Sequence, residues 1–254
     1  MGIASLVLIC IPTLIVIVSS LGGGTVLHFP PRGFSFSAYQ ELLGDPDMRE
    51  GLYRSVMLGV LCVIFAAVPG ILAALALFRY RLRFRTLTLG FLTLGFAAPL
   101  VVSGMAFLLL YTRIGQLGQL WQIAVAITAV NFPFLLFAVA SSITNLSPEL
   151  EEAAATLGAE EVQTFLFVTF PAILPGVLTG LIMMFVFGLS EFLITLILST
   201  VDTQTLPVIM YGTLRGAVSP KLAAGGGVFI LIALIVVLLI SRLRAIEDVL
   251  FRPG

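Results

Sequence analysis

Glu191 is the residue with most to explain in this chain. It is the only charged residue well inside the apolar stretch 172–198. An ionisable group in hydrocarbon costs at least about 2.5–3.5 kcal/mol, so it must face protein or water. Two chemistries are open to it. It can make an acidic contact with a cationic or amine-bearing ligand, or it can be a protonated or hydrogen-bonded acid that ties helices together. On a continuous helix, steps of three and four place Gly188, Glu191, Thr195 and Ser199 on one face. With Ser190 beside it, that small and polar stripe would line a passage, while Phe187, Phe192 and Leu196 point elsewhere. At about 1.5 Å of rise per residue, Glu191 would sit roughly 9 Å beyond the middle of a helix starting near Pro171.

The other unusual acids are clustered. Glu149, Glu151, Glu152, Glu160 and Glu161 fall within SPELEEAAATLGAEEVQTFLFVTFPAILP, residues 147–175, a polar island between apolar stretches. Ser147-Pro148 signals a helix start, because a serine oxygen can cap free backbone amides and proline suits the first helical position. The early glutamates then lie at the positive end of the helix dipole. Ala153, Ala154 and Ala155 favour helix and leave a low, flat face that can approach another surface. Gly158 permits the turn that ends the helix. A second short helix is predicted over 159–170, with Pro171 and Pro175 marking the return to apolar surroundings. The expected object, over 147–171, is a helical hairpin standing outside a bilayer.

The elements that must position these residues follow from composition. Of 254 residues, 59% are hydrophobic and 10% charged, and the mean hydropathy is +1.16. Soluble domains carry roughly 25% charged residues, so this is an integral membrane protein. A spanning helix needs about 20 mostly apolar residues. Six stretches qualify: 4–21, 55–78, 87–111, 121–142, 172–198 and 222–241. The predicted fold is all-α, a polytopic membrane helix bundle of about six transmembrane helices forming one domain, 1–254, without internal repeat. Pro99 is expected to bend the third span and Pro133, near Asn131, to kink the fourth. Gly176 and Gly180 are expected to pack the fifth closely.

An even span count puts both termini on one side. Arg79, Arg81, Arg83 and Arg85 crowd the link after the second span, and Arg242, Arg244 and Arg252 follow the last. The positive-inside rule makes that side, and the 147–171 hairpin with it, cytoplasmic. Residues 22–53 and 199–221 are then the large external loops. The N-terminal apolar stretch lacks a basic leader region and a convincing cleavage site, so it reads as a retained anchor. Net formal charge is zero, which gives no footing for nucleic acid. Cys10 and Cys62 sit in apolar runs and His28 is alone, so neither a disulfide nor a metal site is expected. A membrane enzyme would need paired carboxylates, a histidine cluster or a nucleophile with its base. No Gly-x-x-x-x-Gly-Lys-Ser/Thr phosphate loop is present.

The hairpin resembles the Glu-Ala-Ala loop of binding-protein-dependent ABC importer permeases. In that loop Glu-Ala-Ala precedes three residues, Gly, nine residues and Ile-x-Leu-Pro. Glu152-Ala153-Ala154, Gly158 and Pro171 fall in register, with Val168 and Phe170 in the Ile and Leu places. The last third is similar to the spermidine/putrescine branch, through Thr205-Leu206-Pro207, Tyr211 and Gly216-Ala217-Val218-Ser219-Pro220 in order. The likeness covers about residues 35 to 241. It departs at Ser190-Glu191, where close polyamine permeases often carry two adjacent aspartates.

The resemblance implies a permease subunit forming half of the translocation path for a small solute, a polyamine or related amine-bearing compound. It implies two copies of a separate ABC ATPase that bind the ATP and magnesium, so this chain would be no enzyme and hold no cofactor. It further implies a second, similar permease or a copy of itself, an extracytoplasmic solute-binding protein, and a place among the lipids of the bacterial inner membrane. Glu152, Ala153, Ala154, Gly158 and Pro171 would couple to the ATPase, and Glu191, Ser190, Gly188 and Thr195 would line the path. The alternative is a proton- or ion-coupled secondary transporter using Glu191. Six spans without inverted repeats fit that poorly, and the acidic hairpin would have no role in it.

Overall fold

The structure is a computed structural model that describes residues 2–24, 26–31, 33–80, 82, 84–214 and 219–251, with 2–9 and 240–251 as backbone alone. Its helices are α1 (Gly2–Ser20), α2 (Ser37–Gly44), α3 (Pro46–Ala74), α4 (Arg85–Ala97), α5 (Leu100–Arg113), α6 (Leu120–Thr144), α7 (Pro148–Thr156), α8 (Glu161–Thr164), α9 (Phe170–Ser190), α10 (Leu193–Leu198), α11 (Leu206–Leu214) and α12 (Pro220–Phe251). A π-helical turn, Leu75–Arg79, extends α3, and another, Phe165–Thr169, joins α8 to α9. Among the described residues there is no strand, and the chain is the all-α membrane bundle that its hydropathy predicts. Arg81, Arg83 and Arg252, part of the basic clusters, lie outside the described residues, as do Gly216, Ala217 and Val218.

Among the described residues, four helical segments are long and apolar enough to cross a membrane: Pro46–Arg79, Leu120–Thr144, Glu161–Ser190 and Pro220–Leu239. The pair α4–α5 passes the same test jointly, and α1 contributes a further apolar helix of 19 residues. At the centre, α3, α6 and α9 pack pairwise. Leu135, Leu136, Val139, Ile173, Val177 and Met184 are buried there. Lipid tails are as apolar as these side chains, so the contact is held by close packing rather than by escape from water. Gly176 and Gly180 allow that approach as expected: a β-carbon on Gly176 would stand 2.5 Å from the Ala138 carbonyl oxygen. Around this core α1 lies along α12, while α2 packs beneath α12 through Ala38 and Leu42.

Two expected spans are not single helices. The 87–111 span breaks at Ala98-Pro99, and its halves meet at 99°. Proline disfavours helix in the residue before it, and Ala98 is extended at φ −79, ψ 143. The 172–198 span breaks at Glu191, which is extended at φ −65, ψ 133. No proline marks that place. The return to the membrane also begins earlier than expected. The segment Glu161–Ser190 runs as one helix, with Pro171 inside it. The wide turn Phe165–Thr169 ends just before Pro171, where the proline ring would otherwise crowd the carbonyl four residues back.

Candidate functional site

The two breaks open onto one cavity of about 450 Å³. Phe96 and Ala98 reach it from α4 and its end, Leu100 from α5, Asn131 and Phe134 from α6, and Phe187, Ser190, Glu191, Phe192 and Leu193 from the α9–α10 break. Phe134 joins the aromatic wall on both sides. It meets Phe96 edge-on at 5.0 Å and Phe187 at 4.7 Å between ring centroids. Beyond the break, α10 packs on α5, so the second halves of both broken spans support each other.

Among the described residues, Glu191 is the one charged residue lining this cavity. Its carboxylate turns forward over α10. Oε1 accepts from the Ile194 amide at 2.9 Å, and Oε2 accepts from the Thr195 amide at 2.8 Å and the Thr195 hydroxyl at 2.9 Å. These donors satisfy amides that a helix start leaves without partners, which is why the chain can break here without proline or glycine. The anticipated stripe is therefore corrected in part. Ser190 and Glu191 face the cavity, but Gly188 and Thr195 do not. Gly188 is buried against α3, where a β-carbon would stand 2.8 Å from the α-carbon of Gly59 and 2.8 Å from Cys62 Sγ. Thr195 is fully buried beneath Glu191.

At the far end of the α9 segment lies the hairpin. α7 ends in a Schellman turn: the Gly158 amide donates to the Ala155 carbonyl and the Ala159 amide to the Ala154 carbonyl, each at 3.0 Å. Gly158 has φ +87 and open space around it, so backbone conformation, not crowding, requires glycine. Ser147 does not cap α7 with its side chain as expected; its hydroxyl donates to the Glu149 carboxylate instead. That bond, assisted by the residue's own amide, holds the Glu149 carboxyl below the ordinary carboxylate range. Glu152 and Ala153 are exposed and Ala154 is half-buried. Four apolar side chains of the hairpin, Leu150, Leu157, Val162 and Phe167, are exposed as well, Leu157 to 89% at the turn. Glu151, not singled out by its sequence context, turns the other way. It pairs with Arg79 and accepts from the Thr169 hydroxyl at 2.6 Å.

A helical membrane bundle with a helical hairpin and two broken spans that share one cavity has the features of one class of protein, a transport permease. The chain matches the model of the family "binding-protein-dependent transport system inner membrane component" over residues 66–252 and belongs to that family. It is 26% identical to the spermidine/putrescine transport system permease protein PotC of Haemophilus influenzae, covering 82% of this chain and 81% of that protein. It is 30% identical to the sulfate transport system permease protein CysW of Synechococcus elongatus, covering 79% and 78%. Among solved structures, a bacterial ABC transporter involved in the import of the acidic polysaccharide alginate has a chain of the same fold. The TM-score is 0.66 at 21% identity, over 96% of this chain and 95% of that one. The chain is thus an inner-membrane permease subunit of an ABC importer, close to the spermidine/putrescine permeases.

Proposed function

We propose that this chain forms half of the translocation path of an ATP-driven importer for a cationic amine, a polyamine or related compound. The observation that carries the reading is the cavity where two spans break together. Irregular backbone at membrane depth is tolerated only where protein or a cavity surrounds it, and about 450 Å³ is within the range of small-molecule sites. Among the described residues its single lining charge is negative, and its phenylalanine rings suit an organic cation. The likeness to PotC supports an amine, whereas an acid in the wall opposes the anion in the name of the sulfate permease relative.

Outside the cavity, Glu152, Ala153, Ala154 and Gly158, with the exposed leucines beside them and Pro171 closing the motif, supply the face on which a separate ABC ATPase docks. Two copies of that ATPase bind the ATP and magnesium, and the hydrolysis is theirs. A second, similar permease completes the path, and an external binding protein delivers the solute to loops 22–53 and 199–221. Both termini and the 147–171 hairpin lie in the cytoplasm.

The test is uptake of radiolabelled spermidine and, separately, sulfate by the whole assembly in liposomes. Spermidine should be carried and sulfate should not. Glu191→Gln keeps a carbonyl acceptor for α10 but removes the charge. It should lower spermidine uptake roughly tenfold, equivalent to about 1.4 kcal/mol, with assembly intact. Sulfate uptake, or equal loss of assembly and transport in the variant, would refute the amine path.

A further inference from the structure

We propose that Glu151 is the positioning residue through which the hairpin moves α3 together with α9; this rests on reading the hairpin as the motor's dock. α9 needs no such device, because Glu161–Ser190 is one helix continuous with the hairpin. α3 is different. It is far away in the chain yet packs against both α6 and α9 in the core. The ion pair of Arg79, at the end of the π turn that extends α3, with Glu151 of α7 joins it to the hairpin. The Thr169 hydroxyl holds the other carboxylate oxygen at 2.6 Å. One acid therefore clasps the end of the α3 segment and the turn just before α9.

The setting supports a mechanical role. The side chains of Arg79 and Glu151 are 27% and 17% exposed, in a cleft of about 270 Å³ lined by Tyr80, Ala155, Thr164 and Phe165. An ion pair so enclosed is harder to lose than one on an open surface. Arg79 and Thr169 are each the last residue of a π-helical turn, Leu75–Arg79 and Phe165–Thr169, and these are the two π turns among the described residues. Such turns recur at functional sites. Docking and transmission fall to adjacent residues facing opposite ways: Glu152 outward, Glu151 inward.

The test uses the assembly with its ATPase in liposomes and spin labels at Leu72→Cys on α3 and Thr156→Cys on α7. The distance between labels should stay the same in nucleotide-free and ATP–vanadate-trapped states. Glu151→Gln should make it change between those states. The variant should retain the ATPase, leave the half-saturating spermidine concentration unaltered and raise the ATP hydrolysed per spermidine carried by roughly tenfold, within the span of known site-to-site couplings. Arg79→Lys, which keeps the charge, should be milder, and Thr169→Val should lose only one bond. These two variants serve if Glu151→Gln does not insert. A distance that already changes without mutation overturns the proposal. So does a Glu151→Gln assembly that behaves as the unsubstituted one, or loss of ATPase from all three variants, which would put Glu151 in the docking face. Retention of the ATPase by Glu152→Lys and Gly158→Val would instead sink the dock reading. The label distances need no assumption about the solute.

Discussion

Glu151 and Glu191 stand near the two ends of the α9 segment, and their partners differ in kind. Glu151 bonds across the fold, to Arg79 of the α3 extension and to Thr169. Glu191 bonds to Ile194 and Thr195 in the next turn of chain. An acid with distant partners joins elements so that they can move together. An acid with neighbouring partners shapes its own backbone and moves with it. The hairpin is accordingly read as a mechanical part and the α9–α10 break as a fixed piece of cavity wall.

The largest effect that could break this division is loss of the motor. Gly158→Val puts a β-branched residue at φ +87, at a cost of roughly 1–2 kcal/mol, and should open the Schellman turn. Glu152→Lys reverses an exposed charge on the same face. In either variant the ATPase should no longer co-purify, while circular dichroism of the inserted permease remains that of the unsubstituted chain. Glu191→Gln, run in parallel, should retain its ATPase fully. If it sheds the ATPase too, the two regions do not act separately.

What the sequence disclosed follows the same division between near and far. Pro148, the alanines and Gly158 state a helix and its end in local terms, and α7 forms as they indicate. The break at Ala98-Pro99 was legible for the same reason, since proline acts on its neighbour. The break at Glu191 was not. FGLSEFLITL carries no proline there and reads as continuous helix; the interruption exists because a carboxylate bonds amides of the next turn. The one available signal was the charge itself, a strong acceptor in an apolar run. Nor could spacing find the Arg79–Glu151 pair, whose members lie on elements brought together by the packing of α3, α6 and α9. Five glutamates in the hairpin look alike until one is seen to have an arginine beside it.

Gly188 separates wall from packing more finely. Were it part of the passage, Gly188→Ala would alter uptake and leave stability alone. It faces Gly59 and Cys62 instead, and backbone cannot move aside as a flexible side chain does. Overpacking of this kind costs typically about 1–3 kcal/mol. Thermal unfolding in detergent should show that loss, while Gly90→Ala, with nothing within 4 Å, should be neutral or stabilising. An unchanged melting profile for Gly188→Ala would return the residue to the cavity wall.

The smallest expected effect concerns an acid that combines both habits. Asp45 caps α3 locally, accepting from the Asp47 amide at 3.0 Å and the Met48 amide at 3.2 Å, and it also pairs with Lys221 at the start of α12. The bond from Lys221 holds its carboxyl below the ordinary value of 3.8, with the two amides assisting against partial desolvation. A carboxyl depressed in the folded state contributes stability that is complete above that ordinary value and is lost as pH falls through the depressed one. Asn caps a helix about as well as Asp, so Asp45→Asn removes the charge and leaves the cap. Near neutral pH the variant should be less stable by roughly 0.3–1 kcal/mol, the range for partly exposed charges at a helix start or in a surface pair. Unfolding measured over a pH series should show the gap closing as acid protonates Asp45 in the unsubstituted chain. A gap that persists after that protonation would mean that the local cap, and not the distant lysine, is what Asp45 supplies.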